Sequence, residues 1–348
     1  MKHRPSPGAR LHDITVGRLG SQLRGSGWRA EVVPFTGYGN EEHLRVLGRM
    51  VLRPAEPHTP LGAYAESLLN QRGWRNFLNA PVPNGLATVM VGSSQMELRT
   101  DRGGYIDVQV KNHGLRPGWH HVTFRTADGI ESHAPVQIVS SEQTFGVISD
   151  IDDTILSTYL PRLLIAAWNS LVMTEGSRQA VPGMARLYQH LLAEHPGAPI
   201  VYVSTGTWNT LPFLNRFMLR HGFPRGPMLL SDLGPTNAGF RRIGAEHKRR
   251  ALRELARDLP QIKWVLIGDN GQRDPALYRE FAELQPDRVC AIAIRELTAS
   301  ELVLAHGTIT ILQDNANLEW TPPVVPEVFG ADGDELAEHL LELLPQST

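Results

Sequence analysis

The chain has 348 residues, with 34 Lys plus Arg against 36 Asp plus Glu and a formal net charge of −2. That near balance excludes a global field that would draw the chain to nucleic acid or to an anionic membrane, so any such partner must be met locally. A length above the roughly 250–300 residues at which single cores stop growing predicts two domains, each with its own core.

The first twenty residues carry charge but lack the apolar core of a secretory signal, and no later stretch approaches the roughly 18 continuous apolar residues of a membrane span. A soluble cytoplasmic protein is expected. Cys290, the single cysteine, lies in the run RVCAIAI, where it reads as a small buried apolar residue.

In chain order, residues 9–25 suit a short helix. Alternating runs follow over 28–53 and 84–139, among them ATVMVG, GYIDVQVKNH and HHVTFRT, separated by turn clusters such as PVPNG and GLRPG. A second helix is expected at 60–78 between strands. Short strands with frequent turns predict an antiparallel β-sandwich of about 110 residues, placed in an N-terminal domain over 1–140.

From 144 to 348 the pattern changes. Continuous apolar runs at 145–149, 199–204, 228–230, 264–268 and 289–294 alternate with helical patterns near 183–195, 208–221, 245–258 and 275–284. Strands without polar alternation are covered on both faces, which predicts a doubly wound parallel α/β sheet. A terminal helix is expected near 333–344.

Ligands of such sheets bind at the carboxyl ends of the strands, so the residues just past each run carry the argument. They are Asp150 and Asp152 after the first run, Ser204 and Thr205 after the second, and Asp269 with Asp274 after the fourth; Lys248 lies in the helix that precedes the fourth. Clustered carboxylates repel unless a cation sits among them, and magnesium prefers oxygen ligands completed by water and phosphate. Any one of these Asp or Ser residues taken alone also suits a helix cap or a turn. Asp153 is read as such a turn residue.

The ordered set DIDDT (150–154), Ser204, Lys248 and GDNGQRD (268–274) resembles the four motifs of the haloacid dehalogenase superfamily of phosphohydrolases. More narrowly, SDIDDTI, VPGM, YVSTGTW, EHKRRAL and LIGDNGQRDPALY, spread over about 144–297, are similar to the catalytic domain of the actin-patch-type phosphatidate phosphatases. The 49 residues at 155–203 leave room for only a minimal cap, and the resemblance implies a haloacid dehalogenase-like sheet. It also implies that Asp150 attacks phosphorus to give an aspartyl-phosphate and that Asp152 is the general acid and base. Mg2+ would be held by Asp150, the main-chain carbonyl of Asp152 and Asp269, with Asp274 orienting Lys248 or a metal-bound water. Ser204 and Lys248 would bind the phosphoryl group. Trp208, at the mouth of the site, suits either packing or a substrate contact, and Thr205 is a candidate substrate contact. The related lipid phosphatases often carry serine-asparagine-serine-proline where this chain has Ser204-Thr205-Gly206-Thr207, a difference that bears on substrate preference.

The partner expected is a phosphorylated small molecule or a lipid headgroup, with peripheral membrane contact as an option and no nucleic acid. Two local features bear on that choice. LPRLLIAAWNSLVM (160–173) places Leu160, Leu163, Leu164, Ala167, Trp168 and Leu171 on one helical face, suiting either a core-packed helix or a lipid-facing lid. FRRIGAEHKRR (240–250) suits either an anion-attracting patch or a solvated helix start. Phosphatidate is the best-matched substrate. A soluble phosphomonoester, or a scaffold with a vestigial phosphatase half, are the alternatives.

Overall fold

The structure, a computed structural model, describes residues 21–54, 80–158, 178–231, 240–271, 273–306 and 323–344. The helices expected at 60–78 and 160–173, and most of the one at 9–25, lie outside the described residues. The chain divides into two compact units, Met1–Ser140 and Ser141–Thr348.

Among the described residues the first unit carries one hydrogen-bonded sheet of nine strands. These are β1 (Trp28–Pro34), β2 (Gly37–Gly39), β3 (His43–Pro54), β4 (Ala80–Pro81), β5 (Leu86–Val91), β6 (Ser94–Arg99), β7 (Tyr105–Lys111), β8 (Gly118–Thr126) and β9 (Glu131–Ile138). Alternation along the strands aims one set of side chains into a core that includes Val32, Leu44, Val46, Val89, Phe124 and Val136, the period-two consequence of strand geometry.

The second unit carries six parallel strands in the order β14-β13-β10-β15-β16-β17: β10 (Phe145–Ser149), β13 (Ile200–Thr207), β14 (Met228–Ser231), β15 (Lys263–Asp269), β16 (Val289–Arg295) and β17 (Glu327–Gly330). A separate antiparallel pair, β11 (Leu156–Thr158) with β12 (Arg178–Ala180), follows β10. Among the described residues the helices are α1 (Met184–Glu194), α2 (Leu211–Arg220), α3 (Phe240–Asp258), α4 (Asp274–Leu284), α5 (Ala299–His306) and α6 (Gly333–Leu343). From β10 the chain runs to β13 and β14 on one side and then to β15, β16 and β17 on the other. The carboxyl ends of β10 and β15 therefore flank the point where strand order reverses, a place where α/β sheets leave a crevice.

The expected fold class, a doubly wound haloacid dehalogenase-like α/β sheet with a minimal cap plus an antiparallel sandwich, is corrected by this arrangement. The described residues form a large mixed sheet and a separate parallel sheet, with helix as the lesser part. In the first unit β3 pairs with β1, β2, β4 and β7, and the parallel β2–β9 pair enters the same ladder. Strands that alternation alone assigns to two facing sheets are thereby joined into one. In the second unit apolar runs identify buried strands, but they do not fix which face each connection covers, and the cap-bearing stretch 159–177 lies outside the described residues.

Candidate active site

Every strand end at the reversal point contributes a polar side chain. Asp150 follows β10 directly, and its amide donates to the Ile267 carbonyl of β15 at 2.8 Å. Asp269 closes β15, Asp274 opens α4, Ser204 lies within β13 and Lys248 lies on α3. Asp150, Ser204, Lys248, Asp269 and Asp274 are all buried. Two glycines permit the approach: a Cβ on Gly268 would stand 2.7 Å from Asp274 Oδ2, and one on Gly244 would stand 2.8 Å from the Thr205 methyl. α4 and α3 could not otherwise sit this close to the strand ends.

Lys248 is the hub. Its ammonium donates to Asp150 Oδ1 at 2.6 Å and to Asp274 Oδ1 at 2.5 Å. Asp269 accepts from the Gly271 amide at 2.7 Å through Oδ1, while Asp269 Oδ2 and Asp274 Oδ2 are buried with no hydrogen-bond partner. Carboxylate oxygens of Asp150, Asp269 and Asp274 all lie within 4.8 Å of one another. Three buried carboxylates thus face one ammonium, an excess of negative charge that a dry pocket does not hold unless it gains protons or a cation.

The electrostatics follow from that imbalance. Burial pushes the Asp150 carboxyl well above its ordinary range; Lys248 opposes the shift, and Asp274 and Asp152 add to it. Burial, then Asp274 and Asp150, likewise push Asp269 up. For Lys248 burial works against the charge, yet Asp150, Asp274 and Asp269 more than offset it and hold the ammonium above its usual range. The lysine therefore stays charged, and the carboxylates bear the strain. The donor set, hard oxygens only with two oxygens unpartnered, fits a magnesium-type cation.

Asp152 stands apart from this cluster. Its Oδ2 accepts from the Ser204 hydroxyl at 2.8 Å, and the Gly206 amide donates to Ser204 Oγ at 2.8 Å. The backbone turns sharply after it: Asp153 has φ 61 and donates its amide to the Leu156 carbonyl at 2.9 Å, so its turn role is visible. Thr205 and Trp208 follow Ser204 and are half-buried; the Thr205 carbonyl accepts from Ser231 Oγ at 2.6 Å.

Residues 145–296 match the family described as "Phosphatidate phosphatase APP1, catalytic domain". That segment lies within the second unit. Phosphatidate phosphatase APP1 of Saccharomyces cerevisiae is 26% identical over 272 residues, which cover 74% of this chain and 45% of the relative. An uncharacterized protein of Schizosaccharomyces pombe is 28% identical over 152 residues, covering 43% of this chain and 25% of the relative. The chain thus spans less than half the length of either relative. Among solved structures, a carbohydrate acetylesterase from Xanthomonas citri covers 88% of this chain and 72% of its own at 10% identity, with a TM-score of 0.29, too low to inform fold or function.

Two arginines beside this site are absent from the sequence-derived set. Arg178 on β12 lies 5.1 Å from the Phe213 ring centroid, where burial depresses its pKa while Asp152 and Asp153 oppose the shift. Arg295, the last residue of β16, is buried and donates to the Asp153 carbonyl at 2.7 Å. A charged residue ending an otherwise apolar run, VCAIAIR, is the signal that marks it. The basic stretch at 240–250 is largely neutralised where described. Arg249 pairs with Glu280 and Arg250 with Glu254, and the His247 ring meets the Leu229 carbonyl at 3.0 Å.

Proposed function

We propose that the second unit is a magnesium-dependent phosphatase that hydrolyses phosphatidate to diacylglycerol and inorganic phosphate. One observation carries this reading: inside the segment that matches the APP1 catalytic domain, the buried Lys248 ammonium grips Asp150 and Asp274 beside Asp269, and Ser204 grips Asp152. Asp150, Asp269 and Asp274 would hold the metal, whose positive charge, when bound, offsets that of the transferring phosphoryl group.

In the proposed reaction a carboxylate oxygen of Asp150 attacks phosphorus, the phosphorus–ester oxygen bond breaks, and the leaving glyceryl oxygen takes a proton from Asp152. Water then attacks the aspartyl-phosphate, giving its proton to Asp152 while the bond from phosphorus to Asp150 breaks. Lys248 screens Asp150 from the incoming phosphate, and the Ser204 hydroxyl orients Asp152 and can donate to a phosphoryl oxygen. Because phosphatidate is a bilayer lipid, the unit would meet it at a membrane surface. Among the described residues no helix is long and apolar enough to cross one.

The test is phosphate release from detergent-dispersed phosphatidate beside a panel of soluble phosphomonoesters. Mg2+-dependent release that EDTA and Asp150→Asn both abolish is the expected result. Full activity in Asp150→Asn would end the mechanism, and turnover of a soluble ester with phosphatidate ignored would reassign the substrate.

A further inference from the structure

We propose that Arg295 is a positioning residue, one that holds the left-handed turn at Asp153 and so fixes Asp152 against Ser204. The proposal rests on the acid–base role given above to Asp152, and it deepens that role by naming what keeps the carboxylate in place.

Three non-glycine residues have positive φ among the described residues: Asn84, Asn112 and Asp153. The two asparagines are exposed, whereas Asp153 is buried. A buried non-glycine residue persists in this region only when its surroundings over-determine it. Two hydrogen bonds do so here. The Asp153 amide donates to the Leu156 carbonyl at 2.9 Å, and the Asp153 carbonyl accepts from Arg295 Nη1 at 2.7 Å.

Arg295 is itself over-determined. Nε donates to the Ala331 carbonyl at 3.0 Å and Nη2 to Glu301 Oε1 at 2.6 Å, so its fork joins three segments, those after β10, after β17 and on α5. Glu301 is anchored in turn, its Oε2 accepting from the Thr298 amide at 2.9 Å and the Thr298 hydroxyl at 3.0 Å. The main-chain carbonyl of Arg295 accepts from the Asn270 amide at 3.0 Å, and Arg295 is in register with Asp269 across β15 and β16. One residue thus references the loop bearing Asp152 to the strand end bearing Asp269.

A planar guanidinium serves three divergent acceptors; a lysine ammonium at the end of a flexible stem does not reproduce that fork. Its charge is matched by Glu301, so what it supplies to the site is geometry. Loss of the Nη1 contact frees the Asp153 carbonyl and lets the turn relax toward negative φ, which swings Asp152 away from Ser204.

The full-length protein and its Arg295→Met and Arg295→Lys variants test this by amide hydrogen exchange and by steady-state phosphate release from phosphatidate with Mg2+. For Arg295→Met the expectation is exchange accelerated about tenfold or more at the Asp153 and Ile155 amides, with β10 and β15 still protected. The companion expectation is a loss of kcat on the order of 10–100-fold with KM changed less than about twofold. Arg295→Lys should fall between wild type and Arg295→Met in both readouts. Unchanged exchange at the turn, protection lost equally across β10 and β15, or kcat retained in a folded Arg295→Met would each overturn the proposal. If Arg295→Met does not fold, Arg295→Lys decides: wild-type exchange and kcat in that variant defeat it. Should the wild type release phosphate from no ester, the functional reading fails while the exchange data still judge the turn.

Discussion

The two units treat charge in opposite ways. In the first, the buried polar residues among those described are Thr100, His113, Thr126, Ser132 and Gln137, and the described ion pairs, such as Arg53–Glu31 and Arg125–Glu131, stand at least partly in solvent. In the second, Asp150, Asp153, Lys248, Asp269, Asp274 and Arg295 are all buried. A buried charge costs several kcal/mol unless it is paired and hydrogen-bonded. The first unit follows the rule that charge stays wet, and the second breaks it at one end of its parallel sheet. Such breaches are retained where chemistry needs strong local fields, so the contrast itself points to the strand ends of β10 and β15 as the working part.

The largest effect expected from that contrast follows removal of the hub. Lys248→Met leaves Asp150 and Asp274 without their cation in a dry site, a loss of about 3–5 kcal/mol, read as a lower urea midpoint in EDTA, together with loss of phosphate release. Adding Asp150→Asn to that variant should recover part of the stability, since one of the stranded charges is then gone. A loss of stability under about 1 kcal/mol in Lys248→Met would show that the ion cluster is solvated after all.

Asp269 sharpens the comparison with the opposite sign. Its Oδ2 is buried and unpartnered beside the carboxylates of Asp150 and Asp274. Asp269→Asn removes a like charge and offers an amide donor to its neighbours, so in EDTA the variant should be more stable than the wild type by about 1–2 kcal/mol. Mg2+ should raise the thermal midpoint of the wild type by mass action and leave that of the variant nearly unmoved. Asp269→Asn that is destabilised in EDTA, or that responds to Mg2+ as the wild type does, would remove the carboxylate cluster from consideration as a cation site.

How much of this was legible before folding divides along the same line. The apolar runs at 145–149, 228–230, 264–268 and 289–294 became β10, β14, β15 and β16 with ends moved by at most one residue, and the helix expected near 333–344 is Gly333–Leu343. Continuous burial leaves a continuous apolar signal, and the polar residue that ends each run is therefore conspicuous. That is why Asp150, Ser204 and Asp269 could be picked out. β17 was not, because its Glu327–Gly330 segment is four residues long and alternates at the sheet edge. Arg295 ends the run VCAIAIR and is visible in that way, but its role is not, because two of its three partners are the carbonyls of Asp153 and Ala331, which carry no side-chain pattern. In the first unit the alternation announced strands, but pairing is a matter of main-chain register: nothing in the side chains of β3 tells that it bonds to four neighbours.

The smallest effect belongs to the first unit and sets the scale for the others. Arg45 on β3 donates through Nε and Nη2 to both carboxylate oxygens of Asp107 on β7, at 2.8 and 2.7 Å, and through Nη1 to the Tyr38 hydroxyl at 3.0 Å. The arginine side chain is 11% exposed and the aspartate 44%, so water screens one end of the pair. The bidentate geometry lifts it above a loose surface contact, yet desolvation is too slight for it to approach the Lys248 cluster. A double-mutant cycle with Arg45→Ala and Asp107→Ala should give a coupling of about 0.5–1 kcal/mol that shrinks in 1 M salt. A coupling of several kcal/mol, insensitive to salt, would mean that the first unit also stores charge in a dry environment, and the contrast between the units would lose its force as a guide to where the chemistry lies.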